Sequence, residues 1–356
     1  MENEEKWLLN PKGKQVTVAV TRVRELVLQG YRILKREEII AYKVKTPIDA
    51  RVVQDQWPYS GYGRITQLLD AIIEWNPASN NLIFLGYPKK IEKEAGKKYI
   101  LITGFEANRL PPEWVPLLDE YDLIMVFSKF CERIFKDSGT KALVKSMVLG
   151  TDNFIQTQPD DKEFKFIHFN SFADHGRKGW DLVASAFNQL FPPSINGVKL
   201  ILKSRNHDIE KDLQRIPKNK NIEIIIGDYG RYQMDMLLSN VHCMVFPSRG
   251  EGLGFPPIET LARGIPTIFT DAYGMTEFED FGIKVDFVGF SPAIYDFPFD
   301  GLWVEPNLDK LREKMFNVYS HYKEHKIKAL SEVSKFRERF GERAMVNRFK
   351  ELMTYV

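Results

Sequence analysis

Short runs of apolar residues alternate along this chain with longer amphipathic stretches, the pattern of an α/β protein built on parallel sheets. In the first half, Leu82–Leu85, Tyr99–Ile102 and Leu123–Val126 are predicted to be buried strands. Ile65–Trp75 and Lys129–Lys136 carry helical spacing. The second half restarts the pattern with a strand over Phe164–Phe169 and a helix over Trp180–Phe191, whose Val183, Ala184, Phe187 and Phe191 share one face. Strands follow at Val198–Lys203, Ile222–Ile226 and His242–Phe246. The polar stretch Gln156–Glu163, with Pro159 and three acidic residues, is expected to link the two halves.

Two segments fall outside the alternation. Residues 1–43 hold a strand (Gln15–Val20) and a helix (Thr21–Gln29) closed by Gly30, and are expected to form a small appended module. Residues 286–300 are rich in Phe, Pro and Tyr without periodicity. They are expected to be an ordered excursion over a surface or cleft, because so many aromatics are costly to leave in water. The expected division is therefore 1–43, 44–155, 164–335, and a terminal helix over 336–356 that crosses back to the first domain. The last 50 residues are helical and charged, with Phe336, Phe340, Val346, Phe349 and Leu352 on the buried side.

Composition narrows the class. The 356 residues suit two domains, at roughly 150 residues per domain. Hydrophobic residues at 44% and charged residues at 28% are those of a soluble globular protein. A net charge of +2 gives no strong signal for nucleic acid. No apolar run reaches the ~20 residues that span a bilayer, and the charged start is no signal peptide, so a cytoplasmic protein is expected. Cys131 and Cys243 read as two buried thiols rather than a disulfide. His321 and His325 lie four apart on a helix among Lys and Glu, which reads as a solvated face and not a metal site. No Asp-x-Asp motif stands in a suitable loop, so neither metal nor cofactor is expected.

The chemistry concentrates between Pro247 and Pro266. A buried strand ends at Phe246, a glycine-rich loop follows, and Pro256-Pro257 pre-set the first turn of a helix. The amides of Gly252, Leu253, Gly254 and Phe255 thus point into the space before a helix N-terminus, which suits an anion. Glu251 and Glu259 bracket the loop, and a carboxylate can accept two hydrogen bonds from vicinal hydroxyls. An anion cradle flanked by hydroxyl-binding acids is what a sugar–diphosphate–nucleoside requires. The bland reading is an ordinary strand–turn–helix connection with solvated glutamates.

Glu251-Gly252-Leu253-Gly254-Phe255-Pro256-Pro257-Ile258-Glu259, continued to Pro266, resembles the E-x7-E signature of the retaining GT-B glycosyltransferases, the glycogen-synthase-like group called family 4. The resemblance implies a GT-B fold: two facing Rossmann-like, doubly wound domains with a cleft between them. It places the ribose on Glu259, the transferred sugar on Glu251 and the diphosphate on the Gly252–Phe255 backbone. His175-Gly176-Arg177-Lys178-Gly179 resembles the family's R-K-G element, which puts donor phosphate on Lys178 beside Arg177. The family's second basic residue is missing over Asn170–Ala173, and Arg177, Lys203 or Arg205 would have to replace it. Leu149-Gly150-Thr151-Asp152, Gly274-Met275-Thr276-Glu277 and the stretch from Gly301 to Leu311 also resemble family segments.

In the first half, Ser60-Gly61-Tyr62-Gly63-Arg64 resembles the family's cleft-facing glycine loop, and Phe105-Glu106-Ala107-Asn108-Arg109 a second family stretch. Gly61, Gly63, Arg64 and Arg109 become acceptor-side candidates. Many family members carry a cleft histidine where Gly104-Phe105-Glu106 stands; this chain has no histidine before His168, so that role is vacant or falls to Glu106. The implied activity is retaining transfer of a sugar from a UDP-, GDP- or ADP-linked donor to a hydroxyl acceptor, with Glu251, Lys178 and Glu106 nearest the chemistry. Two other readings are a nucleotide-sugar epimerase and a donor-binding module without turnover.

Overall fold

In this computed structural model the described residues are 45–53, 61–151, 159, 160, 162–170, 176–204 and 214–356, with the backbone alone at 5–9, 15–19, 32 and 33. The helix expected over Thr21–Gln29, most of the Gln156–Glu163 linker, and Ser60, His175 and Arg205 lie outside them. Among the described residues the first 43 positions hold three strands where the sequence suggested one: β1 (Glu5–Leu9), β2 (Gln15–Ala19) and β3 (Arg32–Ile33). They form an antiparallel sheet in the order β2-β1-β3.

The first lobe begins with β4 (Thr46–Ile48) and β5 (Arg51–Val53), followed by helix α1 (Gly61–Ile72) and β6 (Ile73–Trp75). Helical spacing ran through Trp75 in the sequence, but the helix stops at Ile72, where β-branched Ile72 and Ile73 favour extended backbone. Strands β7 (Asn81–Leu85), β8 (Lys98–Thr103) and β9 (Leu123–Val126), helix α2 (Lys129–Asp137) and β10 (Leu143–Ser146) complete the lobe. The parallel sheet runs β10-β9-β8-β7-β5. Beside it, β4 pairs in parallel with β6. The 46–53 run therefore stands between β6 and β7, and the chain reverses its direction of winding there. In such sheets ligands gather beyond the carboxyl ends of the strands at the reversal. Beyond β5 the next element is α1, with Tyr62–Arg64 in its first turn.

The second lobe contains β11 (Phe164–Phe169), α3 (Trp180–Leu190), β12 (Val198–Ser204), β13 (Ile222–Ile226), α4 (Arg231–Ser239), β14 (Cys243–Phe246), α5 (Phe255–Leu261), β15 (Thr267–Thr270) and β16 (Ile283–Val285). Its six strands are all parallel, in the order β13-β12-β11-β14-β15-β16. The reversal falls between β11 and β14, and the glycine-rich loop follows β14. Their runs read as unbroken apolar segments because both faces are covered: Phe166, Leu200, Cys243 and Val245 are buried under α3, and Ile167, Ile201, Met244 and Phe246 on the opposite side.

The aromatic excursion is more regular than its sequence. Its start is β17 (Phe287–Pro292), antiparallel to β18 (Leu302–Pro306), and only residues 293–301 are irregular. Three helices end the chain: α6 (Leu308–Ser320), α7 (Tyr322–Phe340) and α8 (Glu342–Met353). Helix α8 lies on the first lobe: the Phe349 ring meets Trp75 edge-on at 5.9 Å, and Arg348 Nε donates to the Ser146 carbonyl at 2.9 Å. The end of α7 reaches the crossing between lobes, where Thr151 N donates to the Phe340 carbonyl at 3.0 Å. A Cβ on Gly150 would stand 1.7 Å from that carbonyl oxygen, so this crossing requires glycine. Cys131 and Cys243 are free and buried, one in each lobe. Among the described residues no helix is long and apolar enough to cross a membrane.

Candidate active site

The second-lobe site is built by the close approach of two chain segments. Gly179 has φ +78°, and a Cβ there would lie 2.1 Å from the Pro247 carbonyl oxygen. Only glycine lets the start of α3 sit against the end of β14. Arg249 N donates to the Arg177 carbonyl at 2.7 Å, which locks the two segments together. Lys178 and Arg177 are thereby held over the loop.

Both converge on Glu251, whose side chain is 8% exposed. Lys178 Nζ donates to Glu251 Oε1, joined by Ser248 Oγ at 3.0 Å and Arg177 at 3.4 Å. Arg177 also donates to the Gly250 carbonyl at 2.7 Å. Burial alone would raise the Glu251 carboxyl, but Lys178, Arg177 and the Ser248 hydroxyl hold it below its ordinary value. Glu251 is therefore an ionised carboxylate with two cations beside it.

The loop itself is gripped from both sides. Gly254 takes φ +102°, in the left-handed region, just before α5 begins. The Gly252 carbonyl accepts from Ser128 Oγ of the first lobe at 2.7 Å. Gly274 N donates to the Glu251 carbonyl at 2.9 Å, and a Cβ on Gly274 would stand 2.2 Å from the Gly252 oxygen. That accounts physically for Gly274 in the distal Gly274–Glu277 segment. Glu277 reaches the first lobe, accepting from Lys129 N at 2.7 Å at the start of α2.

Arg249, which carried no assigned role in the sequence, organises the base of the site. Its guanidinium makes paired bonds to Asp181 at 2.8 and 2.9 Å and to Glu305 at 2.8 and 3.0 Å, and a fifth to the Gly176 carbonyl at 2.7 Å. All five donors are used, so this arginine is a structural tie and not a free phosphate ligand. Under the site, His168 is fully buried and its Nδ1–H donates to the Val245 carbonyl at 2.8 Å. Burial depresses its pKa to about 4. At the carboxyl ends of β11, β12 and β15, the Asn170 amide and the Ser204 and Thr270 hydroxyls are buried without hydrogen-bond partners among the described residues. Such groups are rare and mark a polar floor beside the winding reversal.

Lys203 does not supply the second phosphate base. Its ammonium is held by the Ser204 and Gly227 carbonyls and lies 4.3 Å from the Tyr229 ring centroid. Arg205 lies outside the described residues, and Arg177 stands beside Lys178.

The first-lobe candidates separate. Arg64 donates to Glu259 Oε1 at 3.2 Å, so it meets the second lobe's acid directly. Glu106 touches the loop through its backbone: a Cβ on Gly250 would lie 2.1 Å from the Glu106 carbonyl oxygen. Its carboxylate accepts from Tyr295 at 3.4 Å. Tyr62, between Gly61 and Gly63, directs its hydroxyl to Thr103 at 3.2 Å. Arg109 is not drawn into this group; it is half-exposed and paired with Asp300 at 2.9 Å. Tyr87 and Tyr295 flank Glu106 and were not singled out in the sequence, because neither lies in a motif. No group of His, Cys, Asp and Glu among the described residues could hold a metal ion. His321 and His325 both turn to Asn317.

Residues 151–294 match the family model described as "Glycosyl transferases group 1". No curated protein matches the chain significantly. Among solved structures, sucrose-phosphate synthase from Thermosynechococcus elongatus is similar at a TM-score of 0.60 and 14% identity, over 78% of this chain and 73% of that one. HepE of Anabaena, solved with UDP-glucose, gives 0.59 and 14%, over 83% and 82%. TarM of S. aureus gives 0.60 and 10%, over 76% of this chain but 55% of its own, so this chain spans about half the length of TarM. These likenesses establish the fold. The chain has the GT-B architecture of two Rossmann-like lobes.

Proposed function

We propose that this protein is a glycosyltransferase that takes a sugar from a nucleotide-diphosphate donor and transfers it, with retention, to a hydroxyl acceptor. The carrying observation is the convergence of Lys178, Arg177 and Ser248 on Glu251 at the mouth of the glycine loop, where the second sheet reverses. The family match over 151–294 supports it, since every one of these residues lies inside that stretch.

In this reading Glu259 takes the ribose hydroxyls, Glu251 a hydroxyl of the transferred sugar, and the Gly252–Phe255 amides the diphosphate. The bond between the anomeric carbon and the diphosphate oxygen breaks through an oxocarbenium-like state. Negative charge grows on the leaving diphosphate, and Lys178 and Arg177 stand beside it as fixed positive charge. The acceptor oxygen bonds to the anomeric carbon on the same face, and its proton passes to the departing phosphate oxygen. With two cations already on the diphosphate side, transfer should persist in excess chelator.

A thermal-shift panel of UDP-, GDP- and ADP-sugars tests the reading. At least one donor should raise the melting temperature, and Glu259→Ala should reduce that shift at the same donor concentration. A panel without any shift would remove the nucleotide-sugar assignment.

A further inference from the structure

Among the described residues, Tyr273 alone combines a positive φ, +54°, with a side chain. A bulky residue in the left-handed region is strained, and such a conformation persists where its surroundings over-determine it. Three contacts do so here. The Tyr273 ring stacks on Phe130, in the first turn of α2 on the first lobe, at 4.7 Å and 28°. Its hydroxyl donates at 2.8 Å to the Leu302 carbonyl, which also accepts from Asn108 N of the first lobe at 3.2 Å. Its own carbonyl accepts from Thr276 Oγ1 at 2.8 Å and closes the 3-10 turn Tyr273–Phe278.

The strained residue delivers its neighbour to the donor loop. Gly274 N donates to the Glu251 carbonyl at 2.9 Å, and its Cα packs so near Gly252 that a Cβ would stand 2.2 Å from the Gly252 oxygen. The start of α2 grips the same peptide: the Gly252 carbonyl accepts from Ser128 Oγ at 2.7 Å and from Cys131 Sγ at 3.4 Å. At the other end of the turn, Glu277 accepts from Lys129 N at 2.7 Å. Residues 128–131 of the first lobe therefore hold the Glu251–Gly252 peptide by two routes, one direct and one through the 273–277 turn. On the second route Tyr273 is the side chain that adjoins Gly274.

We propose that Tyr273 is a positioning residue for Glu251. Contacts with Phe130 and Leu302 keep it left-handed, and that conformation presses Gly274 onto the donor loop. Relaxation to a negative φ would rotate Gly274 away from the Glu251 carbonyl and loosen the carboxylate that Lys178 and Arg177 share. Its effect on turnover rests on the glycosyl-transfer reading above; its effect on the loop does not.

The test compares the full chain with Tyr273→Gly and Tyr273→Phe. Glycine takes the left-handed conformation without strain but has no ring to anchor it, whereas Phe keeps the stack on Phe130 and loses the hydroxyl alone. In hydrogen exchange read by mass spectrometry, Tyr273→Gly should speed exchange about fivefold over 128–132 and 273–279. Strand β12, on the far side of the second sheet, should exchange as in wild type, and Tyr273→Phe should stay within about twofold throughout. With a donor that turns over, Tyr273→Gly should lower kcat about tenfold while donor affinity moves less than about threefold, because the loop still meets the donor but holds Glu251 less well for bond cleavage. Tyr273→Phe should recover most of that loss. Wild-type exchange in Tyr273→Gly, a rise that spreads equally to β12, or donor affinity falling as far as kcat would overturn the proposal. A wild type that neither binds nor turns over a nucleotide sugar would defeat glycosyl transfer, and exchange would still decide the role of Tyr273.

Discussion

Arg64 on the first lobe and Glu259 on the second, 195 positions apart in sequence, meet across the cleft at 3.2 Å. Their side chains are 27% and 23% exposed, so the pair itself contributes little, roughly 0–1 kcal/mol. It uses one oxygen of the carboxylate. Glu259→Ala should weaken donor binding by ~1.5–3 kcal/mol, the loss of a charge-assisted acceptor for the ribose hydroxyls. Arg64→Ala should leave the melting temperature nearly unchanged. Calorimetric titration decides; wild-type donor affinity in a folded Glu259→Ala protein would remove this residue from the site.

Lys178 has two consequences that separate experimentally. Its removal leaves Glu251 buried with weaker compensation, which should cost a few kcal/mol of stability, about 3 in round terms. It also removes positive charge where the leaving group forms, so kcat should fall more than donor affinity. Lys178→Met combined with Glu251→Gln should recover stability but not turnover. Recovery of both would mean that the pair is purely structural.

Arg249 should behave as a tie between segments. Replacing it with Lys keeps the charge but cannot reproduce paired bonds to Asp181 and Glu305 together. Because those carboxylates are about one-third exposed, at 31% and 34%, the expected loss is ~1–3 kcal/mol in urea denaturation. Wild-type stability in Arg249→Lys would contradict this role.

His168 gives the protein an acid sensitivity with a definite sign. Burial lowers its folded pKa from 6.5 to about 4, with Lys178 acting in the same direction and Asp181 and Glu251 opposing. The unfolded chain binds a proton below 6.5 that the folded chain refuses until about 4. Stability is therefore intact above 6.5 and falls as pH drops towards 4, by on the order of 2–4 kcal/mol. His168→Gln should reduce that slope in denaturation curves taken across the interval. An unchanged slope would show that the imidazole protonates freely.

Much of the second lobe was legible because its strands are covered on both faces and read as continuous apolar runs. Phe164–Phe169 and Ile222–Ile226 have the bounds that their sequence suggested. The motif residues Glu251, Lys178 and Arg177 were visible since local backbone demands, a left-handed Gly254 and a close-packed Gly179, leave fixed signatures. The features that stayed hidden depend on distant approach. β17 stayed hidden because its apolar Val288 and Phe290 occupy the exposed positions while Gly289 and Ser291 take the partly covered ones, so its polarity runs against its burial. Tyr87 and Tyr295 acquire meaning only when the irregular stretch 293–301 lies on Phe105, a contact between residues nearly 200 positions apart. Arg109 had the right neighbours in sequence, but it points to Asp300 at the surface.

The most direct measurement is release of nucleoside diphosphate from UDP-, GDP- and ADP-sugars by the purified chain, beside Glu251→Gln. Wild type should release it from at least one donor. Glu251→Gln, which keeps the shape but not the charge, should be slower by about 10²-fold or more. Release at equal rates by both proteins, or none from any donor by a folded wild type, would contradict the account.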